Sequence, residues 1–199
     1  MNPLTSVKGS LITGFVLAIL FAVLAVDGGW NELGLARWLH IIAGITWIGL
    51  LYYFNAVQVP ALAEAAADKG GPGGAGITKY VAPRALLWFR WSAAVTWLTG
   101  FWYLARAGAL GALALGLGGD QFNAYQFVIG VGAWLGTIML FNVWVFIWPN
   151  QQKILGLKPA TDEQKAAARK TALYASRINY ILSIPMLLCM AGATHGVPF

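Results

Sequence analysis

Five long apolar stretches, separated by short polar or glycine-rich segments, account for most of the chain. A helix rises about 1.5 Å per residue, so an apolar run of about 17 to 25 residues crosses the hydrocarbon core of a bilayer. Each of the five stretches has such a length or exceeds it. The pattern therefore predicts five transmembrane helices, at about residues 10–26, 35–58, 84–106, 122–148 and 174–194.

Prolines and one capping pattern indicate where these helices begin and end. Pro60 and Pro149 follow the second and fourth stretches, and Pro83 precedes the third. Proline is tolerated in the first turn of a helix but rarely continues one, so we expect the second and fourth helices to end at these prolines. Thr161 and Gln164 have the spacing of a capping box, which predicts a helix that begins ahead of the last apolar stretch.

The composition is typical of an integral membrane protein with an all-α fold. Of the 199 residues, 59% are hydrophobic and 10% are charged, whereas a soluble domain carries about 25% charged residues. The apolar run that follows Lys8 resembles a signal peptide, and we interpret it instead as the first transmembrane helix. The chain is thus predicted to be a single membrane domain, residues 1–199, built as a bundle of five transmembrane helices.

Basic residues are distributed unequally between the two sides of the predicted bundle. Only Arg37 and Arg106 lie on one side, and the other eleven of the 13 lysines and arginines lie on the opposite side or just inside it. The side with few basic residues also carries acidic ones, namely Asp27, Glu32 and Asp120. Because cytoplasmic segments are enriched in Lys and Arg, we expect a cytoplasmic N-terminus and a periplasmic C-terminus in a bacterial inner membrane.

The chain has two histidines, His40 and His195, and both are predicted near the periplasmic face. His40 lies one or two turns below the outer end of the second helix, and His195 lies at the outer end of the fifth. An ionisable residue within a span is by default a candidate functional residue. Imidazoles from two helices at similar depth can ligate the iron of a b-type haem from both sides. The pattern therefore favours haem b with His40 and His195 as iron ligands.

Three further residues are candidates for contact with this cofactor. Arg37 and Arg106 are predicted at the level of His40, where a guanidinium can pair with a haem propionate. Gly44, one turn after His40, leaves room for a flat macrocycle. Simpler interpretations stay open, since the arginines can extend to the lipid headgroups and Gly44 can serve helix packing. His40 can bond across helices, and His195 can face water.

Several other kinds of chemistry lack their sequence signals. No span contains paired carboxylates, and there is no phosphate-binding loop, dinucleotide fingerprint or zinc spacing. The single cysteine, Cys189, excludes an internal disulfide, and the absence of Cys-x-x-Cys-His excludes a covalently attached c-type haem. No inverted repeat of the kind found in transporters is evident. No catalytic residue is predicted.

Four separated blocks resemble the N-terminal membrane domain of the membrane-bound bacterial urate oxidase (urate hydroxylase) family. In order, they contain RWLH at 37–40, WFRW at 88–91, FNVW at 141–144 and SRIN at 176–179. The helix with His40 also resembles a wider superfamily that includes copper-resistance protein D and the membrane protoporphyrinogen oxidase, in which some members bind haem b. The resemblance implies urate oxidation with electrons leaving through a cytochrome c domain, which this sequence lacks.

We therefore expect a membrane redox protein, an oxidoreductase that binds haem b and transfers electrons near the periplasmic face. Its expected partners are membrane lipid and a cytochrome c, a larger respiratory or oxidase complex, or further copies of itself, but no nucleic acid. Two alternatives stay open. One is a non-catalytic accessory subunit of a larger membrane complex, and the other is urate oxidation with a separate cytochrome c as the electron acceptor.

Overall fold

The computed structural model describes residues 3–25, 29–119 and 121–197. Regular secondary structure in these residues is helical throughout, which confirms the all-α class. The long helices are α1 (Val7–Ala25), α2 (Glu32–Ala67), α3 (Ala82–Arg106), α4 (Ala124–Ile154) and α5 (Asp162–His195). Each corresponds to one predicted span. Three residues used in the sequence predictions lie outside the described residues, namely Val26, Asp27 and Asp120.

Within the described residues, four of the long helices are long and apolar enough to cross a membrane: α1, α2, α4 and α5. The remaining helix, α3, has 25 residues and is therefore long enough, but it does not reach the same apolarity. Three arginines and the hydroxyl side chains of Ser92, Thr96 and Thr99 lower its mean hydropathy. The architecture is thus that of a protein with several membrane-length helices, and a fifth span stays a prediction.

The chain divides into two compact units, Met1–Gly34 and Leu35–Phe199. In the first unit, the apolar stretch Val7–Leu24 of α1 has no buried residue, although Leu, Ile, Val and Phe cover it on all sides. Water would contact this surface unfavourably, so its composition suits a lipid environment.

The second unit is a bundle of α2, α3, α4 and α5 around a main apolar core, with a smaller apolar cluster at Leu104, Ala109 and Ala112. Residues from all four helices form this core, among them Trp47, Leu51, Phe54, Leu86, Phe89, Met139, Val143, Ile147, Ala175 and Met186. The Phe54 and Phe89 rings, from α2 and α3, meet edge-on with their centroids 5.4 Å apart. Aromatic pairs prefer this arrangement because the positive ring edge faces the negative ring face.

Buried amide side chains connect the helices within this core. Asn142 Nδ2 on α4 donates a hydrogen bond to Asn179 Oδ1 on α5 over 2.8 Å. Asn179 Nδ2 donates in turn to the carbonyl oxygen of Met139 over 2.9 Å. One turn before Asn179 on α5, Ser176 Oγ accepts a hydrogen bond from Asn55 Nδ2 on α2 over 2.8 Å. Amides in an apolar interior need such partners, so these bonds determine how the helices are aligned.

Three π-helical turns interrupt or precede the long helices. They span Tyr53–Gln58, Ile77–Val81 and Asn142–Ile147. Each is followed by an α-helical segment whose second residue is a proline, namely Pro60, Pro83 and Pro149. The proline therefore lies in the first turn of a new α-helical segment, where its missing N–H is not needed.

This arrangement corrects the prediction that the second and fourth helices end at Pro60 and Pro149. Both helices pass through these prolines and continue to Ala67 and Ile154. A π-helical turn shifts the hydrogen-bond ladder by one residue, so the proline no longer removes an expected bond. The predicted capping box at Thr161 is confirmed, with Thr161 Oγ1 accepting from the Gln164 N–H and Gln164 Oε1 accepting from the Thr161 N–H.

Candidate functional site

The imidazole of His40 lies at the contact between α2 and α3. Its Nδ1 atom is 2.8 Å from the carbonyl oxygen of Thr96. A carbonyl oxygen can only accept, so Nδ1 carries the proton and donates, and Nε2 of the neutral ring keeps its lone pair. Metal-binding histidines are commonly held in this way by a backbone carbonyl. His40 therefore presents Nε2 as its ligating or proton-accepting atom.

Gly100 provides the space that this ring occupies. A Cβ atom at Gly100 would lie 2.9 Å from Cε1 and 3.0 Å from Nδ1 of His40. Real Cβ contacts are essentially never that short, so any side chain at position 100 would displace the ring. Sequence reasoning did not identify Gly100 as a site residue. The sequence feature that could have identified Gly100 is its position one turn after Thr96, on the helix that faces His40.

Gly44, predicted to admit a macrocycle, also faces Thr96. A Cβ atom at Gly44 would lie 3.7 Å from Thr96 Cγ2, which is an ordinary van der Waals contact. The α2 surface beside His40 therefore has room for a methyl group, unlike the α3 surface at Gly100. The role of Gly44 in cofactor binding stays a prediction.

Arg37 lies one turn before His40 and pairs with a tyrosine that sequence reasoning missed. Its Nη2 atom donates a hydrogen bond to Tyr103 Oη over 2.9 Å, and its Cζ atom lies 5.2 Å from the centroid of the Tyr103 ring. Arg37 is itself exposed, and a guanidinium has five N–H donors. Tyr103 thus orients the cation and leaves further donors for an anion. Arg106, also predicted, is the exposed last residue of α3.

The structure brings Arg37, His40 and Gly44 together along α2, opposite Thr96, Gly100 and Tyr103 on α3. His195 is the exposed last residue of α5. The contacts described between α2 and α5 involve Tyr52 with Tyr180 and Ser183, and Asn55 with Ser176, several turns away from both histidines. The role of His195 as a second ligand therefore stays a prediction.

The sequence predictions also did not include a motif that is repeated in α2 and α4. Both helices contain Trp-x-Gly-x-x-x-x-Phe-Asn, at Trp47–Asn55 and at Trp134–Asn142. In both copies the motif runs into a π-helical turn that is followed by a proline. The position that corresponds to His40 in the second copy is Phe127. Helices α2 and α4 thus share a pattern, and only α2 carries a histidine at this position of it.

The described residues thus form an all-helical protein with helices of membrane length. Between two of these helices lies the imidazole of His40, and a backbone carbonyl determines its tautomer so that Nε2 can act as a ligand. The family model described as "Urate oxidase N-terminal" matches residues 27–112 and 112–199, which is nearly the whole chain. The chain belongs to this family, and the resemblance of the four sequence blocks is confirmed. Each matched segment contains one copy of the Trp-x-Gly motif. Comparison with curated proteins and with solved structures gave no match.

The contact between Gly100 and His40 makes a direct prediction. Gly100→Ala should displace the ring and break its hydrogen bond to Thr96, because the new methyl group overlaps Nδ1 and Cε1. NMR of isotopically labelled histidine should show His40 protonated on Nδ1 in the wild type and an altered Nδ1 signal in the variant. Gly44→Ala is the matched control and should leave the signal unchanged. An unchanged His40 signal in Gly100→Ala would contradict this account of the site.

Proposed function

We propose that the protein binds haem b and transfers electrons near the periplasmic face of a bacterial inner membrane. The observation that supports the proposal best is the hydrogen bond from His40 Nδ1 to the Thr96 carbonyl, which leaves Nε2 available. In an apolar bundle a neutral imidazole with a free Nε2 atom suits an iron ligand, since haem iron is commonly held by histidine. The donor set around His40 therefore fits this cofactor.

His40 and His195 would hold the iron, and Arg37 and Arg106 would pair with the propionates. When bound, haem would supply one-electron chemistry, with its potential influenced by the axial ligands and by burial. The chain's own residues have separate tasks. Thr96 keeps the proton on Nδ1, Gly100 leaves room for the ring, and Tyr103 orients Arg37.

The decisive measurement is the reduced-minus-oxidised absorption spectrum of the detergent-purified protein. We expect a b-type spectrum in the wild type, and loss of this spectrum in both His40→Ala and His195→Ala because each variant removes one ligand. Gly136→Ala on α4, where a Cβ atom would meet nothing within 4 Å, is the control and should retain the spectrum. A well-folded wild type without a Soret band in either redox state would contradict the proposal and favour the accessory-subunit alternative.

The orientation is part of the same proposal, with five spans, a cytoplasmic N-terminus and a periplasmic C-terminus. The concentration of lysine and arginine in residues 59–83 and 149–173 and at the helix ends next to them supports it. The apolar length of four helices is compatible with it, and α3 would cross because its packing against α2 and α4 compensates for its lower apolarity.

Single cysteines in a Cys189→Ala background can test this orientation. Gln121→Cys, in the exposed segment between α3 and α4, should react with a membrane-impermeant maleimide in intact spheroplasts. Lys158→Cys, in the exposed segment between α4 and α5, should react only after the membrane is opened. The reverse pattern would contradict the assignment.

Urate oxidation is the second candidate, and membership in the urate oxidase N-terminal family favours it. Urate is an anion near neutral pH, and Arg37 offers a guanidinium that Tyr103 already orients beside His40. Two electrons would leave urate, and a separate cytochrome c would accept them one at a time.

Membranes that contain the protein should then reduce added cytochrome c in a urate-dependent way. Arg37→Gln should lower this rate by weakening anion binding, and His40→Ala should abolish it. Lys158→Gln, which changes a charge far from the site, is the control and should retain the rate. A wild-type rate no higher than that of His40→Ala would remove this candidate.

A further inference from the structure

Three buried polar atoms on α2 have no hydrogen-bond partner among the described residues. They are the indole Nε1 of Trp47, the amide oxygen of Asn55 and the amide oxygen of Gln58. The three residues are only 2%, 2% and 8% exposed, respectively. A buried polar atom without a partner costs free energy, and lipid cannot supply the missing bond. Each atom therefore indicates that something in the bundle binds it.

The three residues lie on the buried face of α2, as their low exposure shows. His40 lies two turns before Trp47 on the same face, and Asn55 and Gln58 belong to the π-helical turn Tyr53–Gln58. Leu51 lies between Trp47 and Asn55 on the same face and is fully buried. The unpartnered atoms therefore form two groups, an N–H donor at Trp47 and two oxygen acceptors at Asn55 and Gln58.

The orientation of the Asn55 amide follows from its other bonds. Its Nδ2 atom donates to the carbonyl oxygen of Leu51 over 2.9 Å and to Ser176 Oγ over 2.8 Å. Exchanging the nitrogen and oxygen would remove the donation to Leu51, because a carbonyl cannot donate. Oδ1 is therefore the atom without a partner among the described residues, and it requires a donor.

The second copy of the repeated motif differs in how its asparagine is held. There, Asn142 Nδ2 donates to Asn179 Oδ1 on the neighbouring helix. The residue of the first copy that corresponds to Asn179 is Ser92, which donates its hydroxyl to the Phe89 carbonyl of its own helix. The first copy thus has the asparagine without the amide partner, and no described residue donates to Asn55 Oδ1.

We propose that water is bound inside the bundle on this face of α2, at Asn55 and Gln58 on one side of Leu51 and at Trp47 on the other. The bound molecules have to donate to the oxygens of Asn55 and Gln58 and to accept from the indole N–H of Trp47. Water does both, whereas a cation cannot accept from the indole. Buried waters typically occupy such sites, where they bond polar groups that the protein leaves unpaired. Water is then bound along the same face of the helix that carries His40, and the Leu51 side chain separates the two hydrated positions.

Water-edited solid-state NMR of the full chain in lipid bilayers tests this proposal. The protein would carry labelled Asn, Gln and Trp, with signals assigned by backbone connectivities so that no variant has to fold. We expect magnetisation from water to reach the Asn55 and Gln58 side-chain carbonyl carbons, and the Trp47 indole nitrogen, several-fold faster than the Asn142 and Asn179 carbonyl carbons. The last two are internal controls, because they belong to buried amides that pair with each other, and the Asn179 oxygen already accepts from Asn142 Nδ2.

Two outcomes would overturn the proposal. Transfer to Asn55 and Gln58 as slow as to Asn142 and Asn179 would mean that this face of α2 is dry. A shift of the Asn55 and Gln58 signals when sodium and potassium are replaced by choline would mean that a cation occupies the site. Either result is independent of haem, so failure here is distinguishable from failure of the proposed function.

Discussion

Polar groups inside this bundle have to find partners within it, from its own residues or from bound water, because hydrocarbon offers neither donors nor acceptors. The alignment of the helices reflects this requirement. Asn179 contacts both Asn142 and the Met139 carbonyl, which joins α5 to α4. His40 contacts the Thr96 carbonyl, which joins α2 to α3. Apolar packing brings the helices together, and these few directional bonds select one axial alignment among many that would bury similar area.

The same requirement explains how the backbone accommodates its prolines. A proline within an α-helix removes one hydrogen bond and its ring crowds a carbonyl of the preceding turn. Three times, the chain places a π-helical turn immediately before the α-helical segment that contains the proline. The helices therefore continue past Pro60 and Pro149 rather than ending there. Helix length in this protein depends on where π-helical turns form, and proline positions alone do not reveal it.

The site around His40 arises from the match of two helical spacings. Arg37, His40 and Gly44 follow one another at turn intervals along α2, and Thr96, Gly100 and Tyr103 do so along α3. Each of the two polar residues on α2 meets a complementary group, a carbonyl for the imidazole and a phenol for the guanidinium. A missing side chain at Gly100 is as important as the groups present, because the ring occupies that space.

The sequence by itself determined the all-α class, the approximate extent of five helices, the helix start at Thr161 and the family, because hydrophobic periodicity, capping patterns and family motifs are local features. It also identified His40 and Arg37 as candidates, since ionisable residues in apolar runs are rare. Only the tertiary structure decided which partners they have. The acceptor for His40 is a backbone carbonyl, which every residue possesses, and the need for glycine at position 100 depends on the ring of another helix. Hydrophobic periodicity shows which face of a helix is buried. Which atom of the neighbouring helix contacts that face depends on the axial alignment of two helices that are distant in sequence.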